Sequence, residues 1–263
     1  MQLIHESALY LHIAVGACAL LLFWVPVFTR KGNMDHKRFG RIFGYAMYTV
    51  AGSGVIMSSL DLLFPLAIHA EGVELDADER AAAIQEVRQF ALFLFSLSIL
   101  VLTSTRHGWQ VILHKDDRQA LRRPALVGLN GLLAGVGLLL LMVGMQTGTI
   151  LFMIFGTFQL AAGIGNLRYI FRAEIRPRQW WTEHLGGLIG SGVGAYTAFT
   201  VFGGRRLFEE LFASNFDNFA IFLWIGPSVI GVIATTLLSR HYRIRFSGEW
   251  AMRRARLRSG IAG

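Results

Sequence analysis

All but four of the 25 Lys and Arg residues in this chain fall in alternate gaps between hydrophobic stretches. Those stretches cover 7–28, 42–66, 89–110, 125–145, 149–171, 184–202 and 218–238. About 20 apolar residues in a row span a bilayer as a helix, and cytoplasmic loops of membrane proteins retain Lys and Arg. Arg30, Lys31, Lys37, Arg38 and Arg41 stand before the second stretch. Arg106 lies near the end of the third and Lys115, Arg118, Arg122 and Arg123 follow it, while Arg168 lies near the end of the fifth and Arg172, Arg176 and Arg178 follow it. The tail adds Arg240, Arg243, Arg245, Arg253, Arg254, Arg256 and Arg258. Only Arg80, Arg88, Arg205 and Arg206 lie in the other gaps, the first pair among Glu71, Glu74, Asp76, Asp78, Glu79 and Glu86. The pattern predicts an all-α integral membrane bundle of seven transmembrane helices, with the N-terminus outside and the C-terminus cytoplasmic. It reads as a single domain over 1–263, with a basic cytoplasmic tail over 239–263.

Composition agrees. Charged residues make up 16% and hydrophobic ones 54%, whereas a soluble domain carries roughly a quarter charged residues. The isoelectric point of about 10.2 suits nucleic acid in principle. The basic residues, however, flank apolar spans, so anionic lipid headgroups at the cytoplasmic face are the expected partner and nucleic acid is not. Cys18 is the single cysteine, which excludes a disulfide framework and cysteine-based metal clusters. Val15-Gly16-Ala17-Cys18 faintly resembles a lipoprotein cleavage box, but no Lys or Arg precedes it. A secretory signal needs a positive start, so the first stretch is expected to be a retained span.

Three further features follow from local pattern. No Pro or Gly interrupts the chain from Glu79 to Arg106, and Asp76 or Asp78 stands where a helix cap belongs. The third helix should therefore run roughly 45 Å, past a hydrocarbon core of about 30 Å. Leu207, Phe208, Leu211 and Phe212 form an apolar stripe opposite Arg205, Arg206, Glu209 and Glu210, as in an interfacial helix. The tail over 250–258 is basic and amphipathic enough to lie on the inner leaflet. Gly186, Gly190 and Gly194, with Gly187 and Gly192, line the sixth span, and Gly40–Gly44 and Gly131–Gly135 repeat the spacing. Small residues four apart let membrane helices approach closely; a flat ligand against the sixth span is the sharper alternative.

Candidate chemistry rests on few residues. Asp61, near the outer end of the second span, is an intramembrane carboxylate and so a functional candidate; with His12 of the first span it makes an outer polar site. His36 precedes the second span, His107 ends the third and His184 opens the sixth, three imidazoles at one depth on the cytoplasmic side. Imidazole at such a rim ligates haem iron, ligates a transition metal, or faces headgroups and relays protons. Haem needs two histidines on facing helices and small residues against the ring. His184 and His107, with His36 competing and Gly187 nearby, fit that requirement. A metal-dependent membrane hydrolase would use His36, His107 and His184 with Asp35 or Glu183. No phosphate-cradling loop and no Gly-x-Ser-x-Gly elbow is present.

Leu11-His12-Ile13-Ala14-Val15-Gly16, Arg30-Lys31-Gly32 and His36-Lys37-Arg38-Phe39-Gly40-Arg41, with Glu183-His184-Leu185-Gly186-Gly187, resemble a family of uncharacterised bacterial multi-pass membrane proteins. That resemblance implies a multi-pass membrane protein and no established activity; the bacterial inner (cytoplasmic) membrane is the expected location. The layout is also loosely similar to membrane cytochromes of the b561 kind, whose haems sit between helices near the two membrane faces. Together these readings favour a redox-linked membrane protein with one b-type haem or a similar site at the cytoplasmic rim, and a quinone or other redox partner. A non-enzymatic transporter or lipid-binding protein is the alternative, and the metal-dependent hydrolase a third.

Overall fold

The computed structural model describes residues 1–69, 74, 76–176, 178–203 and 216–258. Helix dominates, and no strand occurs among the described residues. Helix α1 spans Gln2–Phe28, with Pro26 in its last turn. The Lys31 ammonium folds back to donate to the carbonyls of Pro26 at 2.8 Å and Val27 at 2.6 Å. It thereby satisfies acceptors that a helix C-terminus leaves open. Gly32, at φ 82°, makes the tight reversal that follows, a conformation few side chains tolerate. The Asn33 side chain then accepts the amide of His36 at 2.8 Å and starts α2, Met34–Leu63.

Helix α2 stops at Phe64 because the next residue is proline, which disfavours helical backbone in the residue before it. A five-residue turn of helix, α3 (Pro65–His69), follows. Helix α4, Ala77–Leu113, is 37 residues long, or about 55 Å at 1.5 Å per residue. Asp76 caps it through the amides of Asp78 and Glu79, and Glu79 returns the bond to the Asp76 amide. The helix is longer than sequence alone suggests because it runs straight through Gly108.

A short 3-10 turn, Arg118–Arg122, leads to α5, Pro124–Thr147. Gly148, in the left-handed conformation at φ 70°, turns the chain into α6, Ile150–Phe171. Helix α7 covers Gln179–Ala198 and runs into a π-turn at Phe199–Gly203. Helix α8 covers Phe216–Arg258 without a break, so the last apolar stretch and the basic tail share one helix. The interfacial stripe expected at Leu207, Phe208, Leu211 and Phe212 lies outside the described residues.

Six of these helices are long and apolar enough to cross a membrane: α1, α2, α4, α5, α6 and the 222–242 part of α8. The chain therefore reads as a multi-pass membrane protein. Helix α7, where the sixth stretch was expected to span, falls short of that measure. Its opening turns hold Gln179, Thr182, Glu183 and His184.

Helix α4 is the hub, touching α2, α7 and α5, while α1 lies on α2 and α7 lies between α4, α8 and α1. Phe43, Met47 and Val101 join Ala19 in a core where α1, α2 and α4 meet. Phe93 packs with Leu140, Phe152 and Phe155 where α4, α5 and α6 meet.

The α5–α6 hairpin is held backbone to backbone. A Cβ on Gly156 would stand 2.6 Å from the Leu141 nitrogen, and one on Gly163 would stand 2.8 Å from the Asn130 carbonyl oxygen. Gly137 and Gly144 answer from α5. The contact therefore uses glycines seven apart, while Gly131 and Gly135, four apart, face open space. Asn166 donates to Asn130 at 2.8 Å across the same pair of helices.

Candidate functional site

Among the described residues, histidines and acidic side chains gather at two places. The first is where the start of α2, the end of α4 and the start of α7 come together. Here α4 and α7 touch through backbone: a Cβ on Gly187 would stand 2.8 Å from Gly108 Cα and 2.8 Å from the Ser104 carbonyl oxygen. Gly108 persists in the middle of a helix for this reason, and Gly187 is occupied by the same contact. Close approach lets His184 reach across, its Nδ1–H donating to the Gly108 carbonyl at 2.8 Å. His36 is held alike, its Nδ1–H donating to the Pro26 carbonyl at 3.1 Å. His36 lies within electrostatic reach of His184.

With Nδ1 carrying the proton in each ring, Nε2 is the lone-pair nitrogen of the neutral imidazole. Metal-binding histidines are typically tethered in this way. One helical turn beyond His36, Gly40 is buried, yet nothing stands within 4 Å of where its Cβ would be. Trp109 packs against Gly44, with its ring 6.2 Å from that of His184. Nearby, burial holds the Lys31 ammonium below the ordinary lysine range.

His107 turns the other way. It is 5% exposed, its Nε2 stands 3.7 Å from Glu183 Oε2, and its ring meets Tyr169 of α6 edge-on at 5.8 Å. That Nε2 makes no hydrogen bond. The α4–α7 seam thus carries two neighbouring rungs, His107 with Glu183 and Gly108 with His184, whose imidazoles have different surroundings. Of the three rim histidines, His36 and His184 are each tethered to a backbone carbonyl, while His107 faces Glu183 and Tyr169. His114 forms the C-cap of α4, and His241 lies exposed on α8.

The second cluster is at the opposite end of α2. Asp61 is 6% exposed. His69 of α3 donates its Nε2–H to Asp61 Oδ1 at 2.9 Å, and His5 of α1 places Nε2 3.3 Å from the same oxygen. The two rings meet edge to face at 6.1 Å. His12, expected beside Asp61, instead sits deeper in the bundle with its Nδ1 3.0 Å from the Ser53 hydroxyl.

His5 and His69 are the site residues that sequence reasoning left out. His5 precedes His12 by seven residues and so shares its helix face. Pro65 signals the turn that folds His69 back over Asp61. Among the described residues no group of three His, Cys, Asp or Glu is placed to hold a metal ion. Comparison with protein-family models, with curated proteins and with solved structures gives no match, so function must be argued from this geometry.

Proposed function

We propose that this is a redox-linked membrane protein that holds a b-type haem, or a similar planar redox centre, between His36 and His184. The observation that carries this reading is the pair of tethers. Both imidazoles spend Nδ1–H on a backbone carbonyl, which leaves both Nε2 atoms as donors, and a bis-histidine haem uses two such nitrogens as its axial ligands. Gly40 supplies room beside His36. Bound there, the centre would supply one-electron transfer. The chain's own part is to fix the two rings, with the backbone of α1 orienting one and that of α4 the other.

On this reading α7 is a seventh span, the N-terminus is outside and the arginine-rich end is cytoplasmic. The membrane is the bacterial inner membrane, and a quinone or comparable carrier exchanges electrons with the site. A hydrolytic metal centre is less well served, because it requires three protein ligands and the described residues bring no such trio together.

Purified protein, expressed with ample haem supply, should show a Soret band and an α band that changes on reduction. His184→Ala and His36→Ala should each abolish both bands, whereas Asp61→Asn should leave them unchanged. Colourless protein with copurifying lipid or solute would replace this reading with the transporter or lipid-binding one.

A further inference from the structure

We propose that the groove between α2 and α4 seats an anionic phospholipid, its phosphate on Arg106 and Tyr48 and one acyl chain running along α2 past Gly52 and Ile56. The argument begins with where Arg106 lies. Gly44 meets Trp109 and Gly54 meets Ser98, so α2 and α4 run in opposite directions. Arg106 therefore stands beside the middle of α2, and its guanidinium reaches the Tyr48 hydroxyl. Tyr48 is roughly 9 Å inside the apolar stretch that begins at Ile42.

Arg106 is exposed at that depth, and it forms no ion pair among the described residues. Other basic side chains at this end are used to close helix ends. Lys31 donates to the Pro26 and Val27 carbonyls, and Arg118 donates to the Ala173 carbonyl. Arg106 instead meets a neutral phenol. A cation that faces hydrocarbon is costly and marks a functional position; an anion at its side offsets that cost.

The chemistry selects phosphate. A guanidinium fork matches two phosphate oxygens at once, and the Tyr48 hydroxyl adds a donor. Tyr45, one turn nearer the basic rim, is 70% exposed and within electrostatic reach of Tyr48. Tyrosine is favoured at headgroup level.

The shape selects a lipid. Tyr45, Tyr48, Gly52 and Ile56 share one face of α2. Nothing stands within 4 Å of where a Cβ on Gly52 would be, and Ile56 is 48% exposed. From Tyr45 to Ile56 this face runs about 16 Å, one leaflet of a hydrocarbon core about 30 Å thick. A chain attached to a phosphate at Arg106 would follow it toward the midplane. The seat shares no residue with the His36–His184 pair, so the presence or absence of a Soret band bears on the haem reading alone.

Full-length protein in detergent is titrated with phosphatidylglycerol, and bound lipid is counted by native mass spectrometry. The expected result is a first lipid that binds ahead of all others. Arg106→Gln should weaken that first binding by about tenfold or more, as loss of a charged hydrogen-bond donor implies. Gly52→Leu, which fills the track without touching the charge, should weaken it too. Arg38→Gln and Arg172→Gln, at exposed basic residues of the same end, should leave it unchanged.

Undiminished first binding in Arg106→Gln would overturn the proposal. So would equal losses in Arg38→Gln and Arg172→Gln, which would make the attraction one of diffuse charge. Oleate that displaces the phospholipid at equal concentration would overturn the assignment to phosphate in favour of a carboxylate. Arg106 is exposed and Gly52 borders open space, so neither substitution disturbs the packed core, and misfolding of one variant would leave the other to decide.

Discussion

Single glycines decide how close the helices come. Gly163 of α6 lies against the Asn130 carbonyl and the Ala134 amide of α5, and a side chain there must push two backbones apart. Gly163→Val should destabilise the protein by about 1–3 kcal/mol, the usual cost of overpacking. Gly131→Ala should instead stabilise it by up to about 1 kcal/mol, since alanine favours helix and nothing stands within 4 Å of the new methyl. Thermal unfolding of the two variants in the same detergent checks the contrast; equal shifts would show that the packing has been misassigned.

The spacing of glycines was visible in the sequence, but their direction was not. Periodicity says that residues share a face without saying which neighbour that face meets. The same limit applies to the histidines. Charge alternation placed His36, His107 and His184 at one end, because depth follows from the distance to a span boundary. The rotation that sends His107 to Glu183 and His184 to the Gly108 carbonyl depends on where α4 and α7 touch. Asp61 was legible as an unusual intramembrane acid, while its partners, 56 residues upstream and eight downstream, meet only once α1, α2 and α3 have packed.

Whole elements were easier to read than their surroundings. Helix α4 follows from an uninterrupted run of helix-forming residues and a visible cap. Asp76→Ala removes the side-chain acceptor of the Asp78 and Glu79 amides, leaving only the residue-76 amide bonded to Glu79, and should cost about 1 kcal/mol. Hydrogen exchange should then quicken in the first turns of α4 while the segment beyond Phe93, buried among α5 and α6, stays protected. Uniform protection in the variant would show that the cap is not what holds that end.

Helix α7 is the harder case. Its composition is too polar for a span by hydropathy, but no residue from Gln179 to Ala198 is exposed. Three helices surround it, and a helix shielded from lipid has less need of an apolar surface. The polar residues that lower its hydropathy, Glu183 and His184, are the ones that engage α4. The residues that take α7 below the hydropathy of a span therefore coincide with those that make it a candidate for function.

At the scale of the molecule, one bundle carries two polar sites at opposite ends of α2, and the proposed orientation puts the Asp61 end outside and the His36 end in the cytoplasm. With Cys18→Ala as background, a single cysteine at Glu79 should react with an impermeant maleimide on intact cells, and one at Gln119 should react only after lysis. The reverse pattern would invert the proposed orientation.

The Pro26 carbonyl takes donors from both Lys31 and His36, so the end of α1 and the ring at the start of α2 hang from one oxygen atom. Helix α1 is otherwise mostly exposed along its length and, among the described candidate spans, is the one least enclosed by protein. Any piston-like slide or tilt of α1 must carry that oxygen along its axis, and His36 must either swing with it or let go. The bundle thus contains a lever whose long arm lies on the outside of the protein and whose short arm is an imidazole.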